Sequence, residues 1–189
     1  MNNIGYVYLW TGTGGGKTTN ALGLALRAIG HNQKVVIIQF MKWWKKIGEY
    51  KIKNKLKPYY EIYQFGKPGW LKIDDQKHEI KYRGMNFQVR TIEELDRELA
   101  NKALEFAKKI MKEKQPDLLV LDEINLVVHS NLLEIKDVLN FLKEIPKKTT
   151  VVLTGRYAPK ELIDRADFVN EIVEVKYPEK FVTTKGIQY

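Results

Sequence analysis

The sequence predicts an α/β fold built on a mostly parallel sheet with helices on both faces. Three observations carry that expectation: apolar β-branched runs alternate with segments of helical period, the inner runs are continuously apolar, and glycine or proline turns punctuate them. With 189 residues, 44% hydrophobic and 29% charged, the chain can bury a core as one compact domain spanning 1–189.

Ile4 to Trp10 is rich in β-branched and aromatic residues and runs into a glycine cluster, the profile of a buried strand ending in a tight loop. Lys17 to Ile29 places Ala21, Leu22, Ala25, Leu26 and Ile29 at helical spacing, and Gly30 supplies the stop. Lys34 to Phe40 predicts a strand covered on both faces, and Glu61 to Phe65 a weaker one. Gly66 to Arg90 holds Pro68, Gly69 and Gly84 without a sustained period, which predicts a long irregular loop and a candidate lid. Thr91 and Glu94 have capping-box spacing before a stripe of Leu95, Leu99, Ala103, Phe106 and Ile110. Strands are then expected at Leu118–Asp122, Thr150–Thr154 and Glu171–Val175, with helices at Asn131–Lys143 and Pro159–Arg165.

Lys and Arg number 32 against 23 Asp and Glu, and the net charge of +9 favours anionic ligands such as polyphosphates, nucleic acid or an acidic surface. Without cysteine there is no disulfide, thiolate nucleophile or Cys-based metal site, and His31, His78 and His129 are scattered, so any metal should be oxygen-bound. No secretory pattern follows Met1 and no apolar run could span a bilayer, so a cytoplasmic protein without a membrane partner is expected. From Met41 to Pro58 lysines crowd around Trp43 and Trp44, an exposed excursion suited to stacking on a planar ligand or on nucleic acid, or to an oligomer contact.

The chemistry concentrates after the first strand. Gly12-Thr13-Gly14-Gly15-Gly16-Lys17-Thr18-Thr19 joins it to the first helix, where backbone amides and the positive helix end can wrap a polyphosphate. Lys17 can neutralise phosphate oxygens and the Thr18 hydroxyl can bind magnesium, although Thr11 stands where the usual spacing has its first glycine. A flexible glycine turn is the plainer reading, but strand, loop, Lys-Thr and helix fall in the order a phosphate loop requires. Leu118 to Leu121 would deliver Asp122 and Glu123 to the same sheet edge, where either can hold magnesium directly or through water. Without the loop, Asp122 would read as a helix cap and Glu123 as a surface charge. Arg156, after the strand ending in Thr154-Gly155, would bring a guanidinium to the anion or pair with Asp122, Glu123 or Asp167.

Taken together, Gly12 to Thr19, Gln39-Phe40-Met41-Lys42, Gly48-Glu49, Leu121 to Asn125, Thr154 to Pro159, Leu162 to Asp167, Val175 to Pro178 and Lys185-Gly186-Ile187 resemble the ATP:corrinoid adenosyltransferase family of phosphate-loop type. That resemblance implies a RecA-like P-loop NTPase fold, usually a homodimer, with ATP and a reduced corrinoid as substrates, magnesium as cofactor, and an electron-donor protein as a further partner. Nucleic acid is then not expected. The implied reaction moves the 5′-deoxyadenosyl group of ATP to cobalt and releases triphosphate. It also assigns Phe87 a catalytic place beside Lys17, because a Gly-Phe-Thr-Trp stretch of the family lies beside the corrinoid and matches Asn86-Phe87-Gln88-Val89 here. Gly15 stands where the family commonly has lysine. Two rival readings use the same residues: a phosphoryl-transfer ATPase, perhaps linked to nucleic acid, and a protein that holds ATP or corrinoid without turnover.

Overall fold

The computed structural model describes residues 5–71, 79–82, 85–179 and 184–187, with the side chains of 72–88 outside the description. A six-stranded sheet runs in the order β3-β2-β7-β8-β1-β9, formed by β3 (Tyr60–Phe65), β2 (Val35–Phe40), β7 (Leu118–Asp122), β8 (Thr150–Thr154), β1 (Val7–Thr11) and β9 (Phe168–Glu171). Every neighbouring pair in it is parallel.

Alternation along the strands splits the core in two. In β2, Val36, Ile38 and Phe40 join one cluster while Val35 and Ile37 join the other, and Leu119/Leu121 and Leu118/Val120 of β7 divide the same way. Helix α1 (Lys17–Gly30) covers the second face with Ala21, Ala25 and Ala28, small side chains that let a helix backbone approach the sheet closely. The first face is covered by α3 (Glu94–Glu113), α4 (Ile124–His129), α5 (Ile135–Glu144) and Leu162 of α6 (Lys160–Arg165).

Several expectations need correction. The stretch from Gly66 to Arg90 is not an irregular loop: β4 (Trp70–Leu71), β6 (Met85–Arg90) and β5 (Glu79–Tyr82) form a three-stranded sheet in the order β4-β6-β5. Short strands interrupted by glycine and proline show too few residues in register to reveal a period of two. Helix α3 starts with Glu93 as N-cap, not Thr91; Asp96 accepts the Glu93 amide at 3.0 Å and is clamped by two hydrogen bonds of 2.6 Å from Arg90. That clamp turns the helix so that Ala100, Ala103, Leu104, Ala107, Ile110 and Met111 are buried while Leu95 is exposed.

The helix expected from Asn131 begins only at Ile135, as α5, because Asn131 takes a left-handed φ of 54° in the turn that separates it from α4. The last strand lies earlier than expected, at β9, and Val173 and Val175 are exposed beyond it. The lysine-rich excursion contains a short helix α2 (Gly48–Lys51) and a 3-10 turn (Ile52–Asn54). It is not wholly exposed: Ile47 is buried, and Trp43 packs edge-on against Trp70 of β4 at 5.7 Å.

Candidate functional site

The strand order decides what meets at the sheet edge. Since β8 lies between β1 and β7, the loop after β1 and the carboxylates after β7 sit on either side of Thr154 and Gly155. This is where open parallel sheets bind ligands.

The phosphate loop, Gly12 to Gly16, is held in shape by its own backbone. Gly12 takes a φ of 96°, and a Cβ there would come 2.3 Å from the Ile172 carbonyl oxygen, so only glycine fits. The Gly14 amide donates to that same carbonyl at 2.9 Å, and the Ile172 amide donates to the Thr11 carbonyl at 2.9 Å. Thr11, at the position of the missing glycine, accepts the Ala158 amide through Oγ1 at 3.2 Å. Thr13, Gly15 and Gly16 are exposed on the outer side of the loop, with Thr19 exposed on the first turn of α1. The first-turn amides of a helix lack intrahelical partners, and no side chain caps α1.

Lys17 is buried and folds over the loop, donating from Nζ to the carbonyls of Gly12 at 2.7 Å and Gly14 at 2.6 Å. Burial pushes its ammonium below the ordinary lysine value; Glu123 and Asp122 oppose that push and Arg156 adds to it. A ligand bringing negative charge would therefore find a cation that gains from its arrival.

Asp122 is fully buried and accepts four hydrogen bonds. Oδ1 takes Thr18 Oγ1 at 2.9 Å and Thr154 Oγ1 at 2.7 Å, while Oδ2 takes Gln39 Nε2 at 2.9 Å and Lys42 Nζ at 2.6 Å. Burial acts to raise its carboxyl, but Lys42 by charge and hydrogen bond, with Thr154 and Thr18, holds it below the usual carboxylate value. Glu123 goes the other way: burial and the Asp122 charge raise it above the usual range. Its backbone is left-handed at φ 70°, with the amide donating to Thr154 Oγ1 at 3.0 Å. Neither carboxylate is a helix cap, since α4 has no side-chain cap.

The pair of Thr18 hydroxyl and Asp122 carboxylate suits a hard divalent cation such as magnesium, which takes oxygen ligands and keeps part of its shell for water and phosphate. Among the described residues no three His, Asp or Glu side chains gather to hold a metal. Arg156 stands near enough to act on both Lys17 and Glu123 as a positive charge. Of its expected partners, Asp167 instead accepts the Val7 amide at 2.7 Å and Asp122 is taken by Lys42. The Phe87 side chain lies outside the described residues; its backbone pairs with Ile80 between β6 and β5.

Four site residues carry roles that spacing alone did not assign. Gln39 of β2 and Lys42, just past its end, reach Asp122, with Gln64 Nε2 donating to Gln39 Oε1 at 2.9 Å behind them. Thr154 bridges Asp122 and Glu123. Asn125 ties the ends of β1 and β8 together, its Nδ2 donating to the Trp10 and Gly155 carbonyls at 3.1 Å each. A glutamine closing an otherwise apolar strand was the available signal for Gln39.

Fold and site together define a P-loop nucleotide-binding protein of RecA-like architecture. Solved structures share that fold: the flagellar accessory protein FlaH from Methanocaldococcus jannaschii (TM-score 0.55, 14% identity, 89% of this chain and 71% of that one) and a KaiC-like protein from Pyrococcus horikoshii OT3 (TM-score 0.56, 17% identity, 90% and 72%). The family model described as ATP:corrinoid adenosyltransferase BtuR/CobO/CobP matches residues 3–189. Corrinoid adenosyltransferases from Escherichia coli K12 (31% identical over 173 residues, 92% of this chain and 79% of the relative) and from Sinorhizobium sp (30% over 176 residues, 92% and 74%) are similar over nearly the same span. The chain belongs to the ATP:corrinoid adenosyltransferase family. The phosphoryl-transfer and non-catalytic readings are not favoured by these relatives. Among the described residues no helix is long and apolar enough to cross a membrane.

Proposed function

We propose that this chain, acting as one domain over 1–189 in the cytoplasm, transfers the 5′-deoxyadenosyl group of ATP to the cobalt of a reduced corrinoid and releases triphosphate. The cobalt(I) lone pair attacks the ribose C5′, a cobalt–carbon bond forms, the C5′–oxygen bond breaks, and its electron pair leaves with the triphosphate. Cobalt(I) is itself the nucleophile, so no side chain has to remove a proton.

The protein's task is to position ATP and stabilise the departing polyanion. The loop amides from Gly12 to Thr19 and the Lys17 ammonium would cradle the phosphates, with Arg156 as a further cation. Magnesium, held by Thr18 and Asp122 with Glu123 alongside, would supply neutralising charge to the triphosphate when bound. The observation that carries this reading is the Thr18–Asp122 hydrogen bond of 2.9 Å beside the folded Lys17, a phosphate and cation site in a chain of this family.

Phe87, by the family resemblance, would shield the lower face of the corrinoid. A homodimer and a protein electron donor belong to the same proposal, and the half-exposed Tyr6, Phe168 and Val169 along the β9 edge support a pairing surface. The test is incubation with ATP, magnesium and chemically reduced corrinoid, with the nucleotide products resolved by anion-exchange chromatography. Tripolyphosphate appearing with adenosylcorrinoid is expected. Release of ADP and phosphate would restore the phosphoryl-transfer reading, and unconsumed ATP the non-catalytic one.

A further inference from the structure

The most unusual contact at the site is made by a residue outside the phosphate loop. Lys42 Nζ lies 2.6 Å from Asp122 Oδ2 and 3.2 Å from Thr18 Oγ1, bridging the two oxygens that a P-loop protein offers to its metal. Thr18 spends its proton on Asp122 Oδ1, so the lone pair it would give a metal is the one facing the Lys42 ammonium. With Thr154 and Gln39 also donating, Asp122 has no acceptor capacity left for a divalent ion unless Lys42 leaves.

We propose that Lys42 is a resident cation that holds the metal position of the nucleotide-free protein and yields it when nucleotide and divalent ion arrive together. A carboxylate buried to this degree is costly without a counter-charge, and Lys42 provides one from a side chain still partly open to solvent. An ammonium and a divalent cation cannot share the same oxygen pair, because like charges repel strongly at such separations. Binding of metal alone is thereby disfavoured, whereas triphosphate offers the displaced ammonium a new anion next to Thr18. Lys42 is a positioning residue in this account, and Trp43 beside it packs edge-on against Trp70 of the small sheet.

The inference rests on reading Thr18 and Asp122 as metal ligands, and independently of any corrinoid chemistry. Manganese binding, read by electron paramagnetic resonance of the free ion, tests it without turnover. In the absence of nucleotide, Lys42→Met and Lys42→Gln should each bind manganese roughly tenfold or more tightly than the wild type. That gain should vanish when Asp122→Asn is added. Both Lys42 variants should also melt lower without metal and recover with manganese, while the wild-type melting temperature stays unmoved by it. Unchanged manganese affinity in both Lys42 variants, or a gain that survives Asp122→Asn, would overturn the proposal. With ATP present, Asp122→Asn alone should weaken manganese binding. If it does so while the Lys42 variants show no gain, only the resident-cation inference fails; if it does not, the metal-ligand reading fails with it.

Discussion

The Thr18 hydroxyl donates to Asp122 Oδ1 across 2.9 Å, joining the first turn of α1 to the end of β7 across 104 residues of sequence. The two carboxylates beside this bond are pushed apart, Asp122 toward the charged form and Glu123 toward the protonated one. Asp122→Asn should therefore raise the half-saturating magnesium concentration by about tenfold or more, and Glu123→Gln by less. Initial rates against magnesium at fixed ATP measure both, and a larger effect at Glu123 would reverse the assignment.

Lys17→Ala should depress adenosyl transfer by about 3 kcal/mol or more, because charge stabilisation of a leaving group is among the largest single contributions to such a site. Single-turnover rates with pre-reduced corrinoid isolate this step. Near-normal turnover would remove the phosphate loop from the mechanism.

Gly15 has nothing within 4 Å of where a Cβ would stand. Gly15→Lys, which places a cation on the exposed rim of the loop, should fold like the wild type and strengthen ATP binding by about 1 kcal/mol, less at high salt. Calorimetric titration with ATP at two ionic strengths decides it. An unchanged affinity at low salt would show that this face of the loop looks away from the phosphates.

Arg90 and Asp96 set the entry to α3, and the pair is nearly closed to solvent on the Asp96 side. Burial acts to raise the Asp96 carboxyl, yet Arg90 and the Glu93 amide hold it below its ordinary value of 3.8. A carboxylate depressed in the folded state contributes stability that is complete above its unfolded value and is lost as pH falls through the folded one. Arg90→Ala should cost roughly 2–4 kcal/mol near neutral pH, and that difference should shrink below pH 3.8. Denaturant melts of both proteins from neutral to acid pH read it directly, and a difference that stays constant into acid would exclude the ion pair as its cause.

Phe87→Ala should leave ATP affinity intact and depress transfer starting from cobalt(II) more than transfer starting from cobalt(I), if the ring shields the lower cobalt ligand and eases reduction. Equal losses from both starting states with a lowered melting temperature would mean that the residue only packs its sheet.

The parallel sheet was legible because each inner strand, such as Val35 to Phe40, is apolar on both faces, and the phosphate loop because its chemistry is local in sequence. What stayed hidden was non-local. Lys42 sits among seven lysines of one segment, where composition suggests solvated charge, and its partner is 80 residues away. The α3 stripe is right at Ala103 and Ile110 but wrong at Leu95, because leucines outweigh alanines in a hydrophobic pattern, whereas Ala100 and Ala107 are what the sheet admits at close range. The small sheet escaped notice because its pairing, Trp70 with Val89 and Ile80 with Phe87, depends on partners and not on period.

Strand β1 lies between β8 and β9, so Val7 pairs with Val151 on one side and Tyr8 with Phe168 on the other. The glycine-rich loop is thus made before the strands that frame it. Its two neighbours, and the Ile172 backbone that fastens Thr11 and Gly14, all lie far downstream of it in the chain. A chain made only as far as β7 carries the glycine-rich loop without the scaffold that shapes it, so the loop reaches its final form only once β8, β9 and Ile172 have been added.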